Sequence, residues 1–154
     1  MKPDGGADPL AARGLCRVVF PPTEVADVLA LLTHIDDVAR ELQLIQIDGL
    51  GSELPVHIST LAEALTRGKA RMRNEIRRQV MSAREAGAAE FRLELDLPAH
   101  AELVVRAVSD LLDQTDRCSD VGLLLTPVAP VGARRALRIM GDHLRAARRE
   151  PTTK

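Results

Sequence analysis

The chain has no tryptophan and no tyrosine, and its two phenylalanines, Phe20 and Phe91, stand far apart. It therefore has no material for an aromatic cage around a cation or for a platform on which nucleobases stack. Cysteine is equally scarce: Cys16 and Cys118 are too few and too distant for a disulfide scaffold or a multi-cysteine zinc site. No apolar run approaches the roughly 20 residues that span a bilayer; the longest centres on Leu123–Leu125. The opening MKPDGGADPLAARG contains no apolar core of a secretion signal, so a cytoplasmic protein is expected. Catalytic signatures are missing too. The glycines of Gly49-Leu50-Gly51-Ser52 fit neither G-x-x-x-x-G-K-[ST] nor G-x-G-x-x-G, and nothing matches a nucleophile elbow or a kinase motif set.

What is present is 154 residues, 45% hydrophobic and 28% charged, enough for one domain with a real core. Residues 1–14, rich in Pro, Gly and Asp, are expected to form a disordered tail, and residues 151–154 a second one. Between them the patterning predicts a single domain over 15–150, mainly α, a four-helix bundle-like arrangement with long amphipathic helices and one short strand pair.

The first helix is expected over about 23–46, with Thr23 as N-cap and Val25, Val28, Leu32, Ile35, Ala39 and Leu42 in a heptad seam. Leu29, Leu31, Val38 and Ile45 widen that seam, which implies more than one neighbour. A second helix is expected over 55–86, with Gly68 marking a kink or a close helix contact and Gly87 ending it. Helix of that length exceeds what a compact domain needs and points to a homodimer. The period then changes to two: Phe91, Leu93, Leu95 and Leu97 alternate with Arg92, Glu94 and Asp96, which predicts a strand over 90–97. Its partner is either the β-prone run 15–20 or the same strand of a second copy. Pro98 is placed as the first residue of a third helix over 98–119, with seam Ala101, Val104, Val108, Leu111, Thr115 and Cys118. A last helix is expected over 130–149, with seam Ala133, Leu137, Met140, Leu144 and Ala147.

Charge carries the strongest functional signal. The formal net charge of −1 hides blocks of opposite sign: residues 1–66 and 89–120 are acidic, 67–88 and 121–154 basic. On the last helix, Arg134, Arg135, Arg138, Arg145, Arg148 and Arg149 fall within an arc of about 140° at ~100° per residue, opposite the apolar seam. A basic amphipathic helix of this kind suits an acidic protein, nucleic acid phosphates or an anionic surface. Arg134, Arg138, Arg145 and Arg149 are the candidate partner-binding residues. On the third helix Asp110, Asp113, Asp116 and Asp120 share a face that complements a basic helix within the chain or across a dimer better than it would hold a divalent cation. In the second helix, arginines flanking the apolar stripe are placed to select a partner helix.

Histidine and cysteine offer little chemistry. His34 shares the polar side of the first helix with Asp27, Asp37 and Glu41, and is assigned to a solvated face because no second histidine stands at ligand spacing. His100 and Glu102 open a deaminase-like H-x-E that lacks its P-C-x-x-C half. His57 and His143 read as surface or cap residues, and Cys118 as a small buried hydrophobe. No catalytic, cofactor-binding or metal-binding residue is assigned.

Phe91-x-Leu93-x-Leu95-x-Leu97-Pro98, then Leu111-Leu112-Asp113-x-x-Asp116, then Leu124-Leu125-Thr126 ahead of a proline and an Arg-rich helix, make residues 91–145 resemble small actinobacterial-type proteins. Those accompany anti-sigma ATPases and sporulation-type phosphatases in partner-switching regulation. The resemblance implies a regulatory role and no catalytic residue. The leading expectation is thus a non-enzymatic regulatory or adaptor protein, homodimeric through its helices and acting through the basic last helix on an acidic partner. A nucleic-acid-binding regulator using the same arginines is the alternative, although Thr126-Pro127-Val128-Ala129-Pro130 blocks the short helix that a helix-turn-helix requires ahead of the basic one. A small metal-binding or enzymatic bundle centred on His34, Asp37 and Glu41 is the third.

Overall fold

The computed structural model describes residues 13–47 and 70–149, with Leu10, Ile58 and Thr60. The chain is mainly helical. In order it forms β1 (Leu15–Val19), β2 (Thr23–Glu24), α1 (Val25–Ile47), α2 (Ala70–Glu85), β3 (Glu90–Phe91), β4 (Glu94–Pro98), α3 (Ala101–Asp120) and α4 (Val131–Arg149). Apart from Ile58, which is buried, and Thr60, the expected stretch 55–69 of the second helix, with Gly68 and His57, lies outside the described residues, as do Gly49–Ser52 and most of the expected tails.

The period-two segment finds its partner within the chain. β1 and β4 pair antiparallel, Leu15 opposite Pro98 and Val19 opposite Glu94. Alternation does what it must: Leu93, Leu95 and Leu97 are buried, while Asp96 faces outward and meets Arg17 across the ladder, Nε to Oδ1 at 2.8 Å. Gln79 of α2 stitches the strand to the helices. Its side-chain amide donates to the Glu94 carbonyl at 2.6 Å, and its carbonyl accepts the Glu94 N–H at 3.0 Å, as a neighbouring strand would.

Three details differ from the expectations. A second, two-residue pairing joins β2 to β3, with Thr23 opposite Phe91. Thr23 is therefore no N-cap: its hydroxyl donates back to the Pro21 carbonyl, and α1 begins at Val25, whose N–H is satisfied by the Ala89 carbonyl at 2.9 Å. Pro98 ends β4 rather than opening α3, which starts three residues later; a proline at a strand end gives up no ladder donor that a central position would need. Gly87 does end α2, at φ +73°, with Ala88 N–H returning to the Ala83 carbonyl and Gly87 N–H to Arg84. Gly122 closes α3 by the same pattern, and both positions need the left-handed conformation that glycine adopts without a Cβ penalty.

The seams of α1 and α4 meet in the core. Val25, Val28, Leu31 and Leu32 pack with Ala133, Ala136 and Leu137, and with Val80 of α2 and Leu112 of α3. Alanine at 133 and 136, both without accessible surface, lets the two backbones approach. A second cluster joins Val38 and Leu42 to Leu111, Cys118 and Leu124; a third seats Phe20 and the β4 leucines on Ala101, Met140 and Leu144. The α4 seam stops at Leu144: Ala147 is exposed, one turn beyond the core. Among the described residues no helix is long and apolar enough to cross a membrane.

Candidate partner surface on the last helix

The arginines of α4 divide by position along the helix. Arg134 and Arg135 lie just inside its N-terminus, where a positive charge opposes the helix dipole. The fold compensates with carboxylates from two other helices. Arg134 donates to Asp113 and Asp116 of α3, both at 2.5 Å, and Arg135 reaches Asp27 of α1 at 3.1 Å and Glu24 at 3.7 Å. Burial disfavours the Arg134 charge, but its hydrogen bonds to Asp116 and Asp113 prevail and raise its pKa above the ordinary arginine value. Asp116 does double duty, accepting the Ala129 N–H at 2.8 Å and so holding the loop that leads into α4. The acidic stripe of α3 thus finds its basic complement within the chain, through two of its four aspartates.

Further along, the arginines turn outward. Among the described residues Arg145 pairs only with Asp142 one turn back, and Arg148 reaches Glu102 of α3 at 3.2 Å. Arg138 and Arg149 are exposed and make no ion pair among the described residues. Arg138 and Arg145 border a groove of about 350 Å³ between α3 and α4, with Arg106, Ser109 and Asp110 opposite and Gly141 in its floor. Of the four candidate residues, then, Arg138 and Arg145 share this groove with the flank of Arg134, whose charge is already satisfied, and Arg149 lies beyond its end. Arg106, on the facing helix, was not among the candidates; its i+4 spacing from Glu102 hides it as a local pair, and at 4.0 Å that pair is loose.

The polar side of α1 is not a solvated face. Asp27 and His34 are both 6% exposed, and with Glu41 they recur every seventh residue against α4 and the α3–α4 loop. Glu41 accepts the N–H groups of Leu125 and Thr126 and the Thr126 hydroxyl, the latter two at 2.7 and 2.5 Å. Burial disfavours its charge, but those three donors hold its carboxyl below the usual carboxylate range. His34 is buried: burial lowers its pKa, partly opposed by Asp116 and Asp37, and among the described residues its buried Nε2 has no hydrogen-bond partner. The imidazole is therefore neutral near pH 7. The assignment of His34 to solvent fails because α1 is flanked on this side by the non-helical loop 121–130, which no helical periodicity reveals.

The structure does not assemble His34, Asp37 and Glu41 into a ligand set. Glu41 is spent on the loop, Asp37 faces Arg40 at 3.7 Å, and among the described residues no group of three His, Cys, Asp or Glu side chains is placed to hold a metal ion. His143 is half-buried against Phe20, ring centres 5.4 Å apart, rather than a surface residue. Cys118 is buried as expected, with its thiol pKa raised by burial; Cys16 is exposed on β1. The arginines flanking the α2 stripe also serve inside the chain: Arg73 and Arg77 both reach Asp36 of α1. In comparisons with known proteins, no family model, no curated protein and no solved structure matches the chain.

Proposed function

We propose that the chain is a non-enzymatic regulatory or adaptor protein that binds an acidic protein partner through the outward arginines of α4. The observation that carries this reading is the groove between α3 and α4: Arg138, without an ion pair among the described residues, flanked by Arg145 and Arg106. The guanidinium groups give planar, forked donors suited to discrete carboxylates. Arg134 belongs to the scaffold of this surface rather than to its contacts. The resemblance of residues 91–145 to proteins of partner-switching regulation supports the same class of role, and self-association through helices is part of the reading, checked by the sedimentation of the purified chain.

Nucleic acid is the lesser reading of the same face. A phosphate backbone lays down a continuous line of negative charge, and on this surface it would meet Glu102, Asp110 and Asp142 interleaved with the arginines. A protein partner can set single carboxylates on Arg138 and Arg145 and avoid them. The test is capture from a lysate of the source cells by the tagged chain and by its Arg138→Glu/Arg145→Glu variant. The double reversal abolishes capture and leaves the circular dichroism spectrum unchanged. Capture that survives removes this surface from the account, and a salt-sensitive 260 nm band on the purified protein, which has no Trp or Tyr to mask it, moves the surface to nucleic acid.

A further inference from the structure

A hollow of about 1080 Å³ opens on the surface along the first half of α1. Its floor is made of small side chains, Ala26, Ala30 and Thr33, whose spacing of four and three keeps them on one helix face. One wall is the turn and strand that follow α2, residues 88–90; the other is the loop that leads into α4, residues 126–130. Small-molecule pockets occupy roughly 300–1,000 Å³ and enclose most of their ligand. A trough larger than that and open to solvent suits a segment of polypeptide.

Both walls are fixed in place. Ala89 accepts the Val25 N–H at 2.9 Å, and Ala88 donates to the Ala83 carbonyl at 3.0 Å. Opposite, Glu41 accepts the Thr126 N–H at 2.7 Å and Asp116 the Ala129 N–H at 2.8 Å. A docking segment therefore meets a preformed site, with little ordering cost on this side. The loop wall is apolar where it meets solvent: Val128 is 47% exposed, and Leu125 and Val131 on either side of it in sequence are 92% and 73% exposed.

The rim is acidic. Glu24 and Glu90 stand directly opposite each other in the β2–β3 pairing, where like charges repel. Both are exposed, and among the described residues Glu90 makes no ion pair while Glu24 reaches only Arg135, at 3.7 Å. Asp37, at the other end of the floor, reaches only Arg40 among the described residues, also at 3.7 Å. Those separations exceed hydrogen-bond range, so all three carboxylates remain open to a donor. Against them the lining sets a single arginine, Arg84.

We propose that this hollow docks a helix of a partner protein, its apolar face on Ala26, Ala30 and Thr33 and a lysine or arginine at the Glu24–Glu90 end. Small floor residues let the two backbones approach, as in helix-in-groove recognition, and the incoming cation relieves the like-charge pair. The hollow shares no lining residue with the groove between α3 and α4 and is opposite to it in charge, so this site is independent of the acidic partner proposed above.

The test selects short peptides from a random library displayed on phage, with the full chain as target and Ala30→Leu, which raises the floor, as counter-target. The enriched peptides combine apolar residues at helical spacing with a lysine or arginine. Added to the unmodified chain, a synthetic enriched peptide shifts the methyl resonances of Ala26, Ala30, Thr33 and Val128 and leaves those of Val105, in the other groove. Glu90→Lys, an exposed change that leaves the circular dichroism spectrum intact, weakens its binding about tenfold, the loss of one charge-assisted contact. The methyl shifts and Glu90→Lys carry the test even where Ala30→Leu fails to fold. Selected peptides that leave the methyls of the hollow unmoved, or a library from which nothing is enriched, overturn the site. Peptides without a basic residue, unaffected by Glu90→Lys, overturn the charge assignment. A free chain that sediments as a dimer, and as a monomer once Ala30→Leu is introduced, gives the hollow to a second copy and overturns the partner helix.

Discussion

The two ends of α4 use the same residue type for different purposes. In the first turn and a half, Arg134 and Arg135 are clamped by Asp113, Asp116, Asp27 and Glu24, carboxylates drawn from α1, α3 and the strand ahead of α1. From Arg138 onward the side chains are exposed, with local or rim pairs or none. Both sets fall within one arc of the helix, so their difference is not one of sequence pattern. It comes from what stands opposite. Near its N-terminus α4 is crossed by the buried polar line of α1 and faces the end of α3; toward its C-terminus the neighbouring helix offers mostly Glu102. Charge at the first end fixes how helices meet, and charge at the second stays on the surface.

Substitutions that break the inward half have the largest effect. Asp116→Ala strips Arg134 of a half-buried partner and leaves the Ala129 N–H without its acceptor; it lowers unfolding free energy by about 2–4 kcal/mol in urea titration. Gly132→Ala comes next. A Cβ at Gly132 collides with the Asp27 carboxylate, the same group that holds Arg135, and the crowding costs about 1–3 kcal/mol, which equilibrium denaturation beside the Asp27→Ala variant apportions.

Acid sharpens the comparison at lower cost. His34 has its folded-state pKa depressed below 6.5, so in mildly acid solution the unfolded chain binds the extra proton. Its contribution is complete above about pH 6.5 and is lost as pH falls below that value, with a slope of at most about 1.4 kcal/mol per pH unit. Thermal midpoints measured across this range fall for the wild type and flatten for His34→Gln. The smallest effect belongs to the outward half: Arg148→Ala removes an exposed pair with Glu102 and costs less than about 1 kcal/mol, fading further in high salt.

Much of this fold is legible in the sequence. The alternation from Phe91 to Leu97 identifies β4, and the run 15–20 supplies its partner within the chain. The seam of α4 is buried from Ala133 to Leu144 as its spacing predicts, and Gly87 stops α2. What escapes are contacts made by irregular backbone. Thr23 looks like a cap because nothing local shows that it will pair with Phe91. His34 looks solvated because the 121–130 loop that covers it has no period, although the seven-residue recurrence of Asp27, His34 and Glu41 is a signal of a polar seam rather than a polar surface. The site is half legible: the arc of arginines is plain, but a helical wheel cannot separate Arg134, satisfied by α3, from Arg138, or bring Arg106 across from the facing helix.

The most direct test of this division is urea denaturation of Arg134→Ala and Arg138→Ala side by side. The account predicts a loss of about 2 kcal/mol or more for Arg134→Ala and a change within about 0.5 kcal/mol for Arg138→Ala. Equal losses, or a larger one at Arg138, would contradict it, because the outward arginine would then be part of the scaffold and not free for a partner.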